Sequence, residues 1–178
     1  MKLYLVGFMG CGKTTVGRLL ADRLGIPFFD LDELVEAAER MSIKEIFGAR
    51  GEPHFRKRER DLLQMTRYLQ DAVIATGGGT FTFDENIDLI RSEGVSIFLS
   101  APFHLLLGRI STKAAERPMF RDDLAALDLY QQRLRYYKSA DMTVEIRETE
   151  LPAEIVERIL LQLPAERSNR ANPASGIS

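Results

Sequence analysis

The densest chemistry in this chain lies in Gly7-Phe-Met-Gly10-Cys11-Gly12-Lys13-Thr14-Thr15. Glycines at 7, 10 and 12 free the backbone for positive φ, so that N–H groups can turn toward a polyanion. Lys13 adds a positive charge for the terminal phosphates, and the Thr14 hydroxyl offers a hard oxygen ligand for Mg²⁺. The pattern predicts a nucleoside triphosphate held by Gly10, Cys11, Gly12, Lys13, Thr14 and Thr15; it does not name the acceptor. Further along, Asp30 and Asp32 stand in "FFDLDELVE". A carboxylate directly after a strand and beside such a loop suits a metal, although the same pair also reads as an exposed helix start. Arg56 in "GEPHFRKRER", Arg117 in "ERPMF" and Arg133 in "QQRLRYYK" are candidate guanidinium forks for carboxylate or phosphate. The runs around Arg56 and Arg133 read equally as solvated helix faces, with Arg135 a rival in register. Gly77-Gly78-Gly79, three glycines after a strand, imply that something approaches the backbone closely.

Those residues need elements to hold them. Strands are expected at 2–6, 26–30, 72–76, 95–100 and 142–146. A helix over 14–24 is closed by Gly25, and "LDELVEAAERM" forms the next. Ser42 and Glu45 have capping-box spacing and open a short helix, before a long polar one from about Pro53 to Tyr68. Asp84 is placed to cap a helix through Ile90; "FHLLLGRI", "LAALDLYQQRLRYYKSA" and "PAEIVERILLQL" supply the rest, the last with a favourable Pro152 at its start. The polar stretch 111–123 reads as a mobile loop and 164–178 as a disordered tail. Strands alternating with helices predict one α/β domain over 1–163, a parallel sheet covered on both faces. Ligands in such sheets sit beyond the carboxyl ends of the strands, where the residues above fall.

The 178 residues fit one domain, and the formal net charge of −2 gives no reason to expect nucleic acid. No apolar run reaches the ~20 residues that span a bilayer. Met1 leads straight into a core strand, leaving no room for a cleaved leader, and the lone Cys11 excludes an internal disulfide, so a reducing cytoplasm is expected. His54 and His104 are the only histidines, so a Cys/His metal site is excluded and His104 is expected on a helix surface. Cys11 has two open readings: a reactive thiol near a helix N-terminus, protected by MgATP, or a small buried filler of the loop.

Among P-loop proteins, a switch GTPase needs NKxD, which is absent, and the only DxxG is "DRLG" at the end of the first helix. "AVIAT" and "VSIFLS" do not end in the acidic residue of a motor ATPase. A carboxylate after the second strand is the layout of a small kinase. "FFDLDELVE", "SIKEIFGARGEPHFRKRE", "ATGGGT" and "ERPMF", in this order behind this P-loop, resemble the shikimate kinases over about residues 1–160. That resemblance implies a nucleoside-monophosphate-kinase-like fold with a five-stranded parallel sheet and a mobile lid at 111–123. It implies MgATP as phosphoryl donor and the 3-hydroxyl of shikimate as acceptor, on the route to chorismate and the aromatic amino acids. By position, Asp32 would bind the shikimate hydroxyls and act as base, Arg56 and Arg133 would hold its carboxylate, and Gly77, Gly78 and Gly79 would contact the ring. Asp30 would hold a water on Mg²⁺, Arg117 would reach the transferring phosphates, Arg109 would lie near the adenine, and Glu59 would orient Arg56. A monomer is expected, without membrane or nucleic-acid partners. The alternatives are another small-metabolite or nucleoside-monophosphate kinase, and a nucleotide-binding module that transfers nothing.

Overall fold

The computed structural model describes residues 1–111 and 123–163. Five strands form one parallel sheet: β1 (Lys2–Val6), β2 (Phe28–Asp30), β3 (Ala72–Ala75), β4 (Val95–Ser100) and β5 (Met142–Glu145), in the order β2-β3-β1-β4-β5. The α-helices among the described residues are α1 (Lys13–Leu24), α2 (Leu31–Glu39), α3 (Ile43–Met65), α4 (Asp84–Glu93), α5 (Phe103–Ser111), α6 (Asp123–Tyr137) and α7 (Pro152–Gln162).

Successive strand residues point to opposite faces, so a strand buried at every position is covered on both. All of β1 and β3 are buried, which accounts for the unbroken apolar runs "LYLV" and "AVIA"; β2 and β5, at the edges, are partly exposed. α1 lies so close to the sheet that a Cβ on Gly17 would overlap the Phe28 ring.

Several boundaries differ from expectation by one to three residues, and two of them for clear local reasons. β2 starts at Phe28 because the Ile26 N–H is engaged by Ala21 O at the end of α1 and Pro27 has no N–H. Asp84 is the first residue of α4 and not its cap; Phe83 holds that position with no side-chain bond, while Asp84 still places a negative charge at the positive helix end. The capping box at Ser42 and Glu45 forms as expected, and α3 breaks at Gly51 (φ 79°, ψ 168°) before Pro53, which separates the short helix from the long one. The stretch 112–122, with Arg117 and nearly all of the expected lid, and the expected tail 164–178 lie outside the described residues. No helix among the described residues is long and apolar enough to cross a membrane.

Candidate active site

The loop between β1 and α1 adopts the conformation its glycines predict, with φ of 142° at Gly7, 78° at Gly10 and 100° at Gly12. Gly7 is doubly constrained, since a Cβ there would sit 2.9 Å from Leu99 O. Lys13 opens α1 and curls back over the loop, donating from Nζ to Gly7 O at 2.8 Å and Phe8 O at 3.0 Å. Cys11 is 1% exposed, packed in the core cluster, and its N–H returns to Phe8 O at 3.3 Å. Its burial supports the filler reading of the two. Thiol reagents should therefore label native protein slowly and denatured protein fully. Rapid native labelling blocked by MgATP would reverse this reading.

Asp30 ends β2 and caps α2. Its Oδ1 accepts from the N–H groups of Asp32 (3.0 Å) and Glu33 (3.5 Å), while Oδ2 accepts from Thr14 Oγ1 at 2.6 Å. It is a helix start as well as a neighbour of the P-loop threonine, but it is buried, not exposed. Asp32, half-buried two residues on, faces the Gly77 backbone, where a Cβ would lie 2.9 Å from its Oδ1.

Arg56 follows the Gly51 break in α3. It donates from Nη1 to Glu59 Oε2 at 2.8 Å and from Nε to Glu52 Oε1 at 3.1 Å, and lies over the Phe55 ring at 5.1 Å. Burial works against the Arg56 charge, but Glu59 and then Glu52 more than offset it, so its pKa is raised and the guanidinium stays protonated. Glu59, the ion-pair partner of Arg56, is itself 1% exposed. On α6, Arg133 is buried, whereas Arg135 is exposed and bonds the Tyr136 hydroxyl at 2.9 Å; this settles the register between them.

Gly77–Gly79 bring these side chains together. A Cβ at Gly79 would lie 2.6 Å from Arg56 Nη2, one at Gly78 3.3 Å from Arg133 Nη1, and one at Gly77 would overlap Glu59. None of the three has a positive φ. The close approach inferred from the sequence is thus made by the site's own charged side chains. A latch outside the site holds α2, with Asp32, against α3, with Arg56. Half-buried Glu39 accepts from Arg58 Nε at 2.6 Å and pairs with His54 at 3.0 Å and with Arg50. His104 is exposed and paired with Glu148.

Two clefts meet here. One, of about 420 Å³, is lined by Asp32, Arg56, Glu59, Gly79 and Arg133. The other, of about 370 Å³, is lined by Gly10, Lys13, Arg109, Glu150, Pro152 and Ile155. Thr14, Thr15, Asp30, Asp32 and Gly78 belong to both, so anything passed between the clefts crosses that wall. Arg109 is exposed at the rim and bonds Gly10 O at 3.2 Å. Glu150, Pro152 and Ile155 escape sequence reasoning. Pro152 signals only a helix start, and nothing local says that the start of α7 borders a cleft.

A phosphate loop, a carboxylate on the dividing wall and two arginines in the cleft beyond that wall, Arg56 and Arg133, define a P-loop phosphotransferase acting on a small anionic acceptor. The comparisons with known proteins are more specific. The family model "Shikimate kinase" matches residues 9–164. The shikimate kinase of Aquifex aeolicus is 38% identical over 164 residues, covering 92% of this chain and 96% of that one. A shikimate kinase of Acinetobacter baumannii, solved in complex with shikimate, superposes with a TM-score of 0.84 at 34% identity over 96% of this chain and 95% of that one. The chain belongs to the shikimate kinase family, and it is an ATP-dependent phosphotransferase with an alcohol acceptor. A gluconokinase of Sinorhizobium meliloti (TM-score 0.58, 17% identity, 95% of this chain and 94% of that one) shares the fold alone.

Proposed function

We infer that the chain transfers the γ-phosphoryl group of ATP to the 3-hydroxyl of shikimate, giving shikimate 3-phosphate and ADP. The observation that carries this reading is the acceptor cleft, where two buried or half-buried guanidinium groups border one glycine segment opposite a carboxylate. A ring bearing one carboxylate and several hydroxyls matches that arrangement. Arg56 and Arg133 take the carboxylate, because paired N–H donors fix direction as well as charge. The segment Gly77–Gly79 borders the ring, and Asp32 accepts the proton of the attacking hydroxyl.

On the donor side, Lys13 leaves its loop carbonyls for the β- and γ-phosphates, the N–H groups of Gly10–Thr15 line the phosphates, and Arg109 borders the base. Thr14 and Asp30 supply adjacent hard oxygens. Among the described residues no cluster of three His, Cys, Asp or Glu side chains could cage a metal. Two oxygen donors beside a phosphate loop suit Mg²⁺, which keeps several waters and takes the rest of its shell from phosphates. When bound, Mg²⁺ neutralises charge on the transferring phosphates. Thr14 would hold it directly and Asp30 through a water. Arg117 is proposed to add positive charge at the γ-phosphate. The single-domain extent 1–163, a monomeric state and a cytoplasmic location are proposed with it.

ADP release from MgATP should depend on shikimate and be negligible with gluconate or a nucleoside monophosphate. ADP release with gluconate or a nucleotide but not shikimate would contradict the reading. Arg56→Lys should raise the KM for shikimate by roughly 10- to 100-fold, because an ammonium loses the fork while keeping the charge. An unchanged KM would remove Arg56 from the clamp.

A further inference from the structure

The two arginines of the acceptor cleft come from different helices, α3 and α6, yet a carboxylate reads the spacing between them. What sets that spacing is visible in two buried hydroxyls. Thr80 is fully buried, and its Oγ1 donates to Glu59 Oε1, the oxygen that does not receive Arg56. Thr80 is held in turn by Asn86, 3% exposed, whose Nδ2 donates to Thr80 O at 3.0 Å. A polar chain therefore runs Asn86, Thr80, Glu59, Arg56, its first three members buried, and Thr80 stands one residue beyond the glycines.

On the other side, the hydroxyl of Tyr137, also fully buried, donates to the carbonyl of Gly78. Its ring stacks on Phe98 of β4 with centroids 5.3 Å apart, and Arg133 lies one turn earlier on the same helix against the same glycine. Burial raises the Tyr137 pKa and keeps the hydroxyl protonated as a donor, with Arg133 opposing that shift. Both arginines are thus referenced to the 77–80 segment, one through Glu59 and one through Gly78. We propose that Thr80 and Tyr137 are positioning residues that fix the separation and direction of the two guanidinium forks, and so the enzyme's selectivity for a carboxylate-bearing acceptor. This rests on the assignment of Arg56 and Arg133 as the carboxylate clamp.

The test uses the full chain, with shikimate and its methyl ester as acceptors, and the variants Thr80→Val and Tyr137→Phe. Each removes one hydroxyl and leaves the side chain's bulk. Each should raise the KM for shikimate by about 10-fold, with kcat and the KM for ATP within about 2-fold of the parent. The ester should be affected little, so the acid-over-ester preference narrows in the variants. In Arg56→Lys, the further loss from Thr80→Val should disappear, as should that from Tyr137→Phe in Arg133→Lys, because coupled groups are non-additive. Thr80→Ser, which restores the donor, should recover the parental KM. Equal losses for acid and ester, or full additivity with the arginine variants, would reduce both hydroxyls to scaffold and overturn the proposal. A parent that does not distinguish acid from ester would instead overturn the clamp itself, so the two failures are separable.

Discussion

Lys13→Met should lower kcat by about 10²- to 10³-fold while the protein stays folded. Developing charge on the transferring phosphates needs a positioned cation in a site partly closed to water, and removing one such group commonly costs two to three orders of magnitude. The structure adds a second role, since Nζ bonds the carbonyls of Gly7 and Phe8 and so helps shape the loop it serves. Two lost hydrogen bonds at a half-buried position are worth about 2 kcal/mol, too little to unfold a domain of this size. The check is single-turnover transfer beside a thermal melt. A folded Lys13→Met protein that keeps most of the parental rate would take the lysine out of the mechanism.

The second large effect is expected at Asp32. Asp32→Asn keeps shape and one acceptor oxygen but loses the charge and the capacity to take a proton, so kcat should fall about 10²- to 10⁴-fold. The KM for shikimate should change far less, because the arginines proposed to hold the carboxylate are untouched. This pattern separates a base from a binding residue. A variant that raised KM with kcat preserved would make Asp32 a hydroxyl ligand only, and the proton would have to leave by another route.

The difference between what the sequence reveals and what it hides follows from range. Gly7, Gly10 and Gly12 announce positive φ locally, and the apolar runs of β1, β3 and β4 announce a sheet covered on both faces. The Ser42 capping box was legible for the same reason: both partners lie within four residues. Register across distant elements was not legible. Arg133 and Arg135 are equivalent by composition, and only the packing of α6 buries one and exposes the other. The glycine triplet signalled close approach correctly but not by what, because Arg56, Glu59 and Arg133 reach it from two other helices. Glu150, Pro152 and Ile155 border the P-loop cleft with only a helix-start signal among them, and the hydroxyl of Thr80 gives no sign in the sequence that it meets Glu59.

The account's central claim is that paired guanidinium groups select the acceptor by its carboxylate. The measurement that tests it most directly is kcat/KM for shikimate against its methyl ester in the unaltered protein, read as ADP formed from MgATP. Esterification leaves the reacting 3-hydroxyl intact but faces both arginines with a group that carries no charge. Each poorly matched charged donor costs about 1.5–3 kcal/mol, so the ester should be slower by roughly 10-fold at least and by well over 100-fold if both contacts fail. Comparable kcat/KM for acid and ester would contradict the clamp, and with it the structural reason for assigning shikimate to this cleft.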